Sequence, residues 1–137
     1  MRTAVNLRVG NLMSLNPVTI SPDRPVQEAE QLLKTYRIGG LPVVDDETLV
    51  GVISQTDLLV ARSTELISVN WARLRVRHLM SRPALSIRST ASVESAARRM
   101  IDHHIHRLVV VDDGDLPIGV ITPLDLMGAL LDEADVA

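Results

Sequence analysis

Two aspartates, Asp57 and Asp125, each stand three residues after a hydroxyl side chain, Ser54 and Thr122. The surrounding stretches are Gly51-Val52-Ile53-Ser54-Gln55-Thr56-Asp57 and Gly119-Val120-Ile121-Thr122-Pro123-Leu124-Asp125, and apolar residues follow each aspartate. The β-branched pair suits a strand that ends in a core. Ser54 or Thr122 suits a helix N-cap. Pro123 falls at the first helical position, where its missing N–H costs nothing. The aspartate three residues on makes a carboxylate version of the capping box. Capping alone accounts for these residues at about 1 kcal/mol each. The same geometry also sets a hydroxyl beside a carboxylate at a positive helix end, which is a candidate ligand site.

Other titratable clusters are weaker. His103-His104-Ile105-His106 suggests a metal only superficially. Neighbouring histidines at a helix end diverge, and no carboxylate at ligand spacing accompanies them. A solvated helix C-terminus, which favours cations, explains them better. Asp45-Asp46 and Asp112-Asp113 read as hairpin-turn residues. There is no Ser-His-Asp or Cys-His set and no glycine-rich phosphate loop, so catalysis is not expected. No metal is expected either.

The elements that must position the two motifs recur. Leu7-Arg8-Val9-Gly10-Asn11-Leu12-Met13-Ser14 returns as Leu74-Arg75-Val76-Arg77-His78-Leu79-Met80-Ser81, with six of eight residues identical at an offset of 67. That offset also pairs Ile20 with Ile87, Val26 with Val93, Ala29 with Ala96, Ile38 with Ile105 and Leu41 with Leu108. One extra residue near Pro117 moves it to 68, which aligns Gly51 with Gly119 and Asp57 with Asp125. The chain is two copies of one unit.

Each copy predicts a helical turn (8–13 and 75–80), then a short strand at Val18-Thr19-Ile20 or Leu85-Ser86-Ile87. A helix follows over 25–36 or 92–103, with apolar residues on one face. A hairpin comes next, of strands 41–45 and 49–53 or 108–112 and 116–121. A closing helix runs over 55–63 or 123–132. The order β-α-β-β-α leaves a sheet face that one copy cannot bury, so a mixed α/β (α+β) fold of two repeats packed face to face with pseudo-two-fold symmetry is expected. The expected boundaries are 7–60 for the first copy, 61–73 for a packed helical connector and 74–132 for the second. Met13 and Met80 belong to the core. Arg8 and Arg75, recurring identically, suggest salt bridges.

Composition bounds the function. With 137 residues and 46% apolar content the chain can bury a core, but only 1% is aromatic. Val, Ile, Leu, Met and Ala must build that core, and base-stacking platforms are not available. The net charge of −3, without a long basic run, argues against nucleic-acid binding. The absence of cysteine excludes disulfides, thiol catalysis and Cys-ligated zinc. No secretion signal or run of about 20 apolar residues is present, so a cytoplasmic protein with no membrane partner is expected.

The ordered set of marks resembles the CBS (cystathionine β-synthase) domain, and the pair resembles a stand-alone Bateman module. The marks are Leu-Met-Ser, the Val-Val-Asp-Asp run and Gly-Val-Ile-Ser/Thr-x-x-Asp, each present twice. The resemblance implies a regulatory module that binds AMP, ADP, ATP, S-adenosylmethionine or a related adenosyl ligand in a cleft between the domains, with no required cofactor. It places ribose on Ser54, Asp57, Thr122 and Asp125, and adenine beside Thr19, Ile20, Ile38, Ser86, Ile87 and Ile105. It places phosphate on His106 and Arg107. A carboxylate can accept hydrogen bonds from two adjacent ribose hydroxyls. The first copy has Gly39-Gly40 in place of His106-Arg107, so the two sites should differ in phosphate affinity. The family also implies a homodimer, with Leu58-Leu59-Val60 and Leu126-Met127-Leu130-Leu131 as material for the interface, and an unidentified protein partner. The alternative is a dimeric structural or interaction module without a physiological nucleotide.

Overall fold

The computed structural model describes residues 7–63 and 71–136, with side chains through residue 131. In chain order the elements are α1 (Val9–Leu12), β1 (Ser14–Leu15), α2 (Val26–Tyr36), β2 (Gly40–Asp45), β3 (Thr48–Ser54) and α3 (Gln55–Arg62). A 3₁₀ turn at Trp71–Arg73 follows, then α4 (Val76–Leu79), β4 (Ser86–Arg88), α5 (Val93–His103), β5 (Leu108–Val111), β6 (Pro117–Ile121) and α6 (Pro123–Val136). The fold is mixed α/β with each repeat giving a helix, a hairpin and a closing helix. Residues 64–70 of the expected connector lie outside the described residues.

The packing boundaries do not follow the repeat boundaries. Residues 18–84 form one compact unit, and residues from 85 onward form the other together with the segment ending at Pro17. The expected limits at 7 and 74 therefore mark the sequence repeat, while each Leu-Met-Ser segment packs with the opposite repeat's core. Backbone bonds fix both exchanges. Val9 N–H donates to Ala91 O and Gly10 N–H to Ser89 O, each at 2.9 Å. Likewise Val76 N–H donates to Arg24 O and Val26 N–H to Leu74 O, each at 2.9 Å. Val9 and Val76 are fully buried, one in each core.

The unit of residues 18–84 is built on the antiparallel hairpin β2–β3. The expected strand at Val18-Thr19-Ile20 shrinks to one parallel bridge, Ile20 to Val43. Its bonds are Ile20 N–H to Pro42 O at 3.1 Å and Val44 N–H to Ile20 O at 2.9 Å. Pro42 has no N–H of its own, which removes a donor from the middle of β2. Val109 occupies that position in the other unit, and there β4 pairs with β5 over three residues. That sheet has the order β1-β6-β5-β4, because Ser14 and Leu15 add an antiparallel strand to β6.

Helix ends follow the local chemistry. Pro25 sits at the N-cap of α2, one position ahead of the expected first turn. Ser92 caps α5 by accepting from Ser95 N–H at 3.0 Å. Both helices end on a left-handed residue, Arg37 and His104, which turns the chain towards the next strand. The single-residue slip in the repeat lies in the hairpin turns. Asp46 and Glu47 take positive φ in the first, whereas Asp112 Oδ1 accepts from Gly114 N–H and Leu116 N–H in the second. Asp45 thus ends β2 by pairing with Thr48, and Asp46, Asp112 and Asp113 belong to the turns. Arg8 and Arg75 form no ion pair among the described residues. Arg75 instead donates to the Asp23 carbonyl at 2.5 Å.

The glycine that opens each motif is required by close approach. A Cβ on Gly119 would stand 2.6 Å from Met13 Sδ and 2.7 Å from Ser14 O. A Cβ on Gly51 would stand 2.8 Å from Ser81 O and 3.0 Å from Met80 Sδ. The sulfur could move, but the carbonyl oxygens belong to paired backbone, so the side chain has no room. A second lock holds the 3₁₀ turn. Trp71 Nε1–H donates to Glu30 Oε1 at 2.8 Å. Arg62 reaches both Glu30 oxygens, at 3.1 and 2.9 Å, and lies 4.0 Å above the Trp71 ring.

Two stability outcomes follow from these contacts. Gly119→Ala should lower unfolding free energy by about 1–3 kcal/mol in urea titrations, the usual cost of overpacking. Glu30→Ala should cost about 1–3 kcal/mol by leaving the indole N–H without its acceptor. It should also change the emission of Trp71, the sole tryptophan.

Candidate functional site

In the first motif β3 ends at Ser54, and Ser54 Oγ accepts from Asp57 N–H at 3.1 Å. Asp57 returns the contact through Oδ2, which accepts from Ser54 N–H at 2.8 Å and from Ser54 Oγ–H at 3.0 Å. The expected carboxylate capping box is complete. Its other oxygen is also engaged, since Ser81 Oγ–H donates to Asp57 Oδ1 at 3.1 Å. Ser81 stands beside the motif because Ser81 and Val52 exchange backbone bonds of 2.8 and 3.1 Å.

The second motif keeps the inner half of this arrangement. Asp125 Oδ2 accepts from Thr122 N–H at 2.8 Å and from Thr122 Oγ1–H at 3.1 Å. Asp125 N–H donates to Thr122 Oγ1 at 3.4 Å. Ser14 is the counterpart of Ser81, yet no described side chain donates to Asp125 Oδ1. Thr122 and Asp125 are only half-buried, so one carboxylate oxygen remains open to a ligand hydroxyl.

The segments before the central strands differ in the same direction. Gly39 O accepts from Gln55 N–H at 2.9 Å, which ties that loop to the start of α3. In the other unit Pro123 replaces Gln55 and has no N–H to give. The loop carrying His106 and Arg107 therefore lacks this tether. His106 is exposed, and Arg107 is half-buried. Burial pushes the Arg107 guanidinium below its ordinary value, but so strong a base stays charged. No described carboxylate lies within salt-bridge distance of it. It is a partly desolvated cation with no counter-ion among the described residues.

Sheet register brings several expected residues to one end of a sheet. Leu108 pairs with Ile121 in the antiparallel β5–β6 ladder, so continuing that register sets Arg107 opposite Thr122. Ser86 pairs with Val109 in the parallel β4–β5 ladder, at the same end. Ile105 is half-buried after the left-handed His104. Its counterpart Ile38 is also half-buried and packs on its own core. Ile20 and Ile87 are core side chains only 5% and 7% exposed. Thr19 and Ser86 offer the accessible groups at those positions.

The expected residues do not all share one cavity. Ser86 and Ile87 line an open cleft of about 760 Å³ beside α5. Ile105 and His106 border an apolar groove of about 500 Å³ between α5 and α6. The histidine run changes direction at left-handed His104. Among the described residues no group of three His, Asp or Glu could hold a metal, and no helix is long and apolar enough to cross a membrane.

Reading the motifs singly missed Ser81. Its signal is that Leu-Met-Ser and Gly-Val-Ile-Ser/Thr occur in equal number, as partners across a sheet would.

A twice-repeated strand, capping box and helix, each closed by a Leu-Met-Ser segment, defines the class. The CBS domain family model matches residues 9–64 and 76–132, and the chain belongs to that family as a pair of CBS repeats. Among particular proteins, it is similar to CBSX2 from Arabidopsis thaliana at 31% identity and TM-score 0.83, over 96% of this chain and 99% of that one. A CBSX2 structure in complex with AMP gives 35% identity and TM-score 0.83 over 94% and 99%. The CBS pair of protein MJ0100, in complex with 5′-methylthioadenosine and S-adenosyl-L-methionine, gives 25% identity and TM-score 0.78 over 92% and 97%. The inosine-5′-monophosphate dehydrogenase of Methanocaldococcus jannaschii is 33% identical over 111 residues, which are 80% of this chain and 21% of that enzyme. The chain thus spans about a fifth of that relative's length.

Removing the cap hydroxyl should be mild. Thr122→Val should cost about 1 kcal/mol of stability in denaturant titrations, with Asp125 kept at the helix start by Thr122 N–H.

Proposed function

We propose that this CBS pair is a regulatory module that binds an adenine nucleotide or related adenosyl ligand, and that it acts by binding and not by catalysis. The observation that carries the reading is the open Asp125 Oδ1 beside the Thr122 cap, on the sheet end that also bears the unpartnered Arg107. The carboxylate takes a ribose hydroxyl in a charge-assisted hydrogen bond. Arg107, and His106 with it, takes phosphate. In the unit that carries Asp125, Ser86 and Ile105, with the backbone at Ile87, flank the adenine, and Thr19 and Ile38, with the backbone at Ile20, are the corresponding adenine-flanking positions of the unit that carries Asp57. AMP on CBSX2 and adenosyl compounds on MJ0100 support this ligand class. Ser54 and Asp57 form the weaker ribose position, because Ser81 already occupies the second Asp57 oxygen and Gly39-Gly40 supplies no cation. A ligand signals only through unequal affinity for two arrangements of the protein.

Calorimetric titration with AMP, ADP, ATP, NADH and S-adenosylmethionine tests the proposal. Asp125→Ala should weaken binding about tenfold or more, the loss of one charged hydrogen bond, and Asp57→Ala should weaken it less. Arg107→Gln should weaken AMP, ADP and ATP while sparing S-adenosylmethionine, which has no phosphate. Equal losses in the two aspartate variants, or no binding at millimolar ligand, would overturn the site assignment.

A second reading concerns assembly in the cytoplasm. Ile101, Met127, Leu130 and Leu131 expose a large apolar surface on α5 and α6, and a homodimer would cover it. Leu59 and Val60 do the same on α3. Sedimentation should show a dimer at micromolar concentration that Met127→Glu/Leu130→Glu dissociates. A monomer throughout would remove this reading without touching the nucleotide site.

A further inference from the structure

The open cleft beside α5 has a composition that its fold does not require. Its floor is Ile87, Ala91 and Val111, and three arginines line it: Arg88 from β4, and Arg98 and Arg99 from α5. Ser95, Arg98, Arg99 and Asp102 share one helix face by their three- and four-residue spacing. The first repeat is an internal control. At the offset of 67 it has Ser21, Gln31 and Leu32 in place of the three arginines. The first repeat builds the same helix and hairpin without these cations, so the arginines are not there to specify the fold.

Their existing partners hold them weakly. Arg98 meets Glu94 at 3.5 Å, with side chains 70% and 71% exposed. Such a pair contributes little in water. Arg88 meets Asp113 at 2.5 Å, and Asp113 is fully exposed at the hairpin turn. Arg99 has no carboxylate partner among the described residues. It donates to the Ser86 carbonyl at 2.8 Å, which holds its guanidinium across the cleft with other N–H groups unused. Ser95 and Thr90 add hydroxyls to the lining.

We infer that this cleft is a binding site for a small phosphate-bearing anion, apart from the proposed ribose and phosphate positions, although the adenine-flanking Ser86 and Ile87 border it as well. Thr122, Asp125, His106 and Arg107 do not line it. Guanidinium groups suit phosphate because their planar fork gives two parallel hydrogen bonds. Asp102 and Asp115 also line the cleft. They would repel an extended polyanion, and with the net charge of −3 they restrict the ligand to a compact group seated on the arginines. The cleft's 760 Å³ is ample for a ligand of that size.

Inorganic pyrophosphate is the probe, titrated into the full chain by calorimetry at low and at moderate salt. Binding should weaken as salt rises, because these cations are exposed. Arg98→Gln/Arg99→Leu gives the cleft the first repeat's residues and should weaken pyrophosphate about tenfold or more, with the thermal melt unchanged. Arg88→Ser should act in the same direction. Arg107→Gln and Asp125→Ala should leave pyrophosphate binding as it is while weakening AMP. Two results would overturn the inference: no pyrophosphate binding at millimolar concentration, or binding that survives the arginine double variant and is lost with Arg107→Gln. Failure of the AMP titrations alone would not bear on this cleft.

Discussion

The fold depends on the contact between a glycine and a methionine-serine pair. Gly51 lies against Met80 and Ser81, and Gly119 lies against Met13 and Ser14, at distances that leave no room for a Cβ. Because a glycine gives up its side chain here, Ser14 and Ser81 can pair with the second strand of each hairpin. The partners come from opposite repeats. Each compact unit is therefore completed by a segment distant in sequence, and neither sequence repeat is a packing unit by itself. Burial of Val9 and Val76 adds apolar stabilisation to the backbone bonds at both exchanges.

The same contact shapes the candidate site. Ser81 is carried to the first motif by its pairing with Val52, and from there it engages Asp57. Ser14 makes the equivalent backbone pairing with Val120 without engaging Asp125. Two motifs with the same capping box thus present different faces to a ligand. The neighbouring loops sharpen the difference, since Gln55 tethers Gly39 while Pro123 has no N–H with which to hold His106. Capping and ligand binding are compatible because a carboxylate has two oxygens. One is used by the helix in both motifs, and among the described residues the second meets a side-chain donor at Asp57 and none at Asp125.

Most of the local structure was legible from residue pattern. The spacing of Val26, Ala29 and Leu33, and of Val93, Ala96 and Met100, marks the buried helix faces. The Val-Val-Asp-Asp runs locate both hairpins and their turns. Val18-Thr19-Ile20 has the β-branched residues of a strand, yet only Ile20 bridges to Val43, because Pro42 next door withholds a ladder donor. Arg8 and Arg75, expected to form ion pairs, form none among the described residues. An exact recurrence of a charged residue shows that its place in the repeat is retained, and Arg75 uses a backbone carbonyl instead.

By itself the sequence determined the duplication, the order of elements, the two capped helix starts and the CBS family, because these rest on local periodicity and on residues a few positions apart. The tertiary structure decided which Leu-Met-Ser segment meets which glycine, which aspartate keeps an unused oxygen, and that Arg88, Arg98 and Arg99 line one cleft. The reason is that near-identical segments can satisfy the same local rules with either partner. Only the path of the chain between them selects one, and with it the side chains left facing solvent.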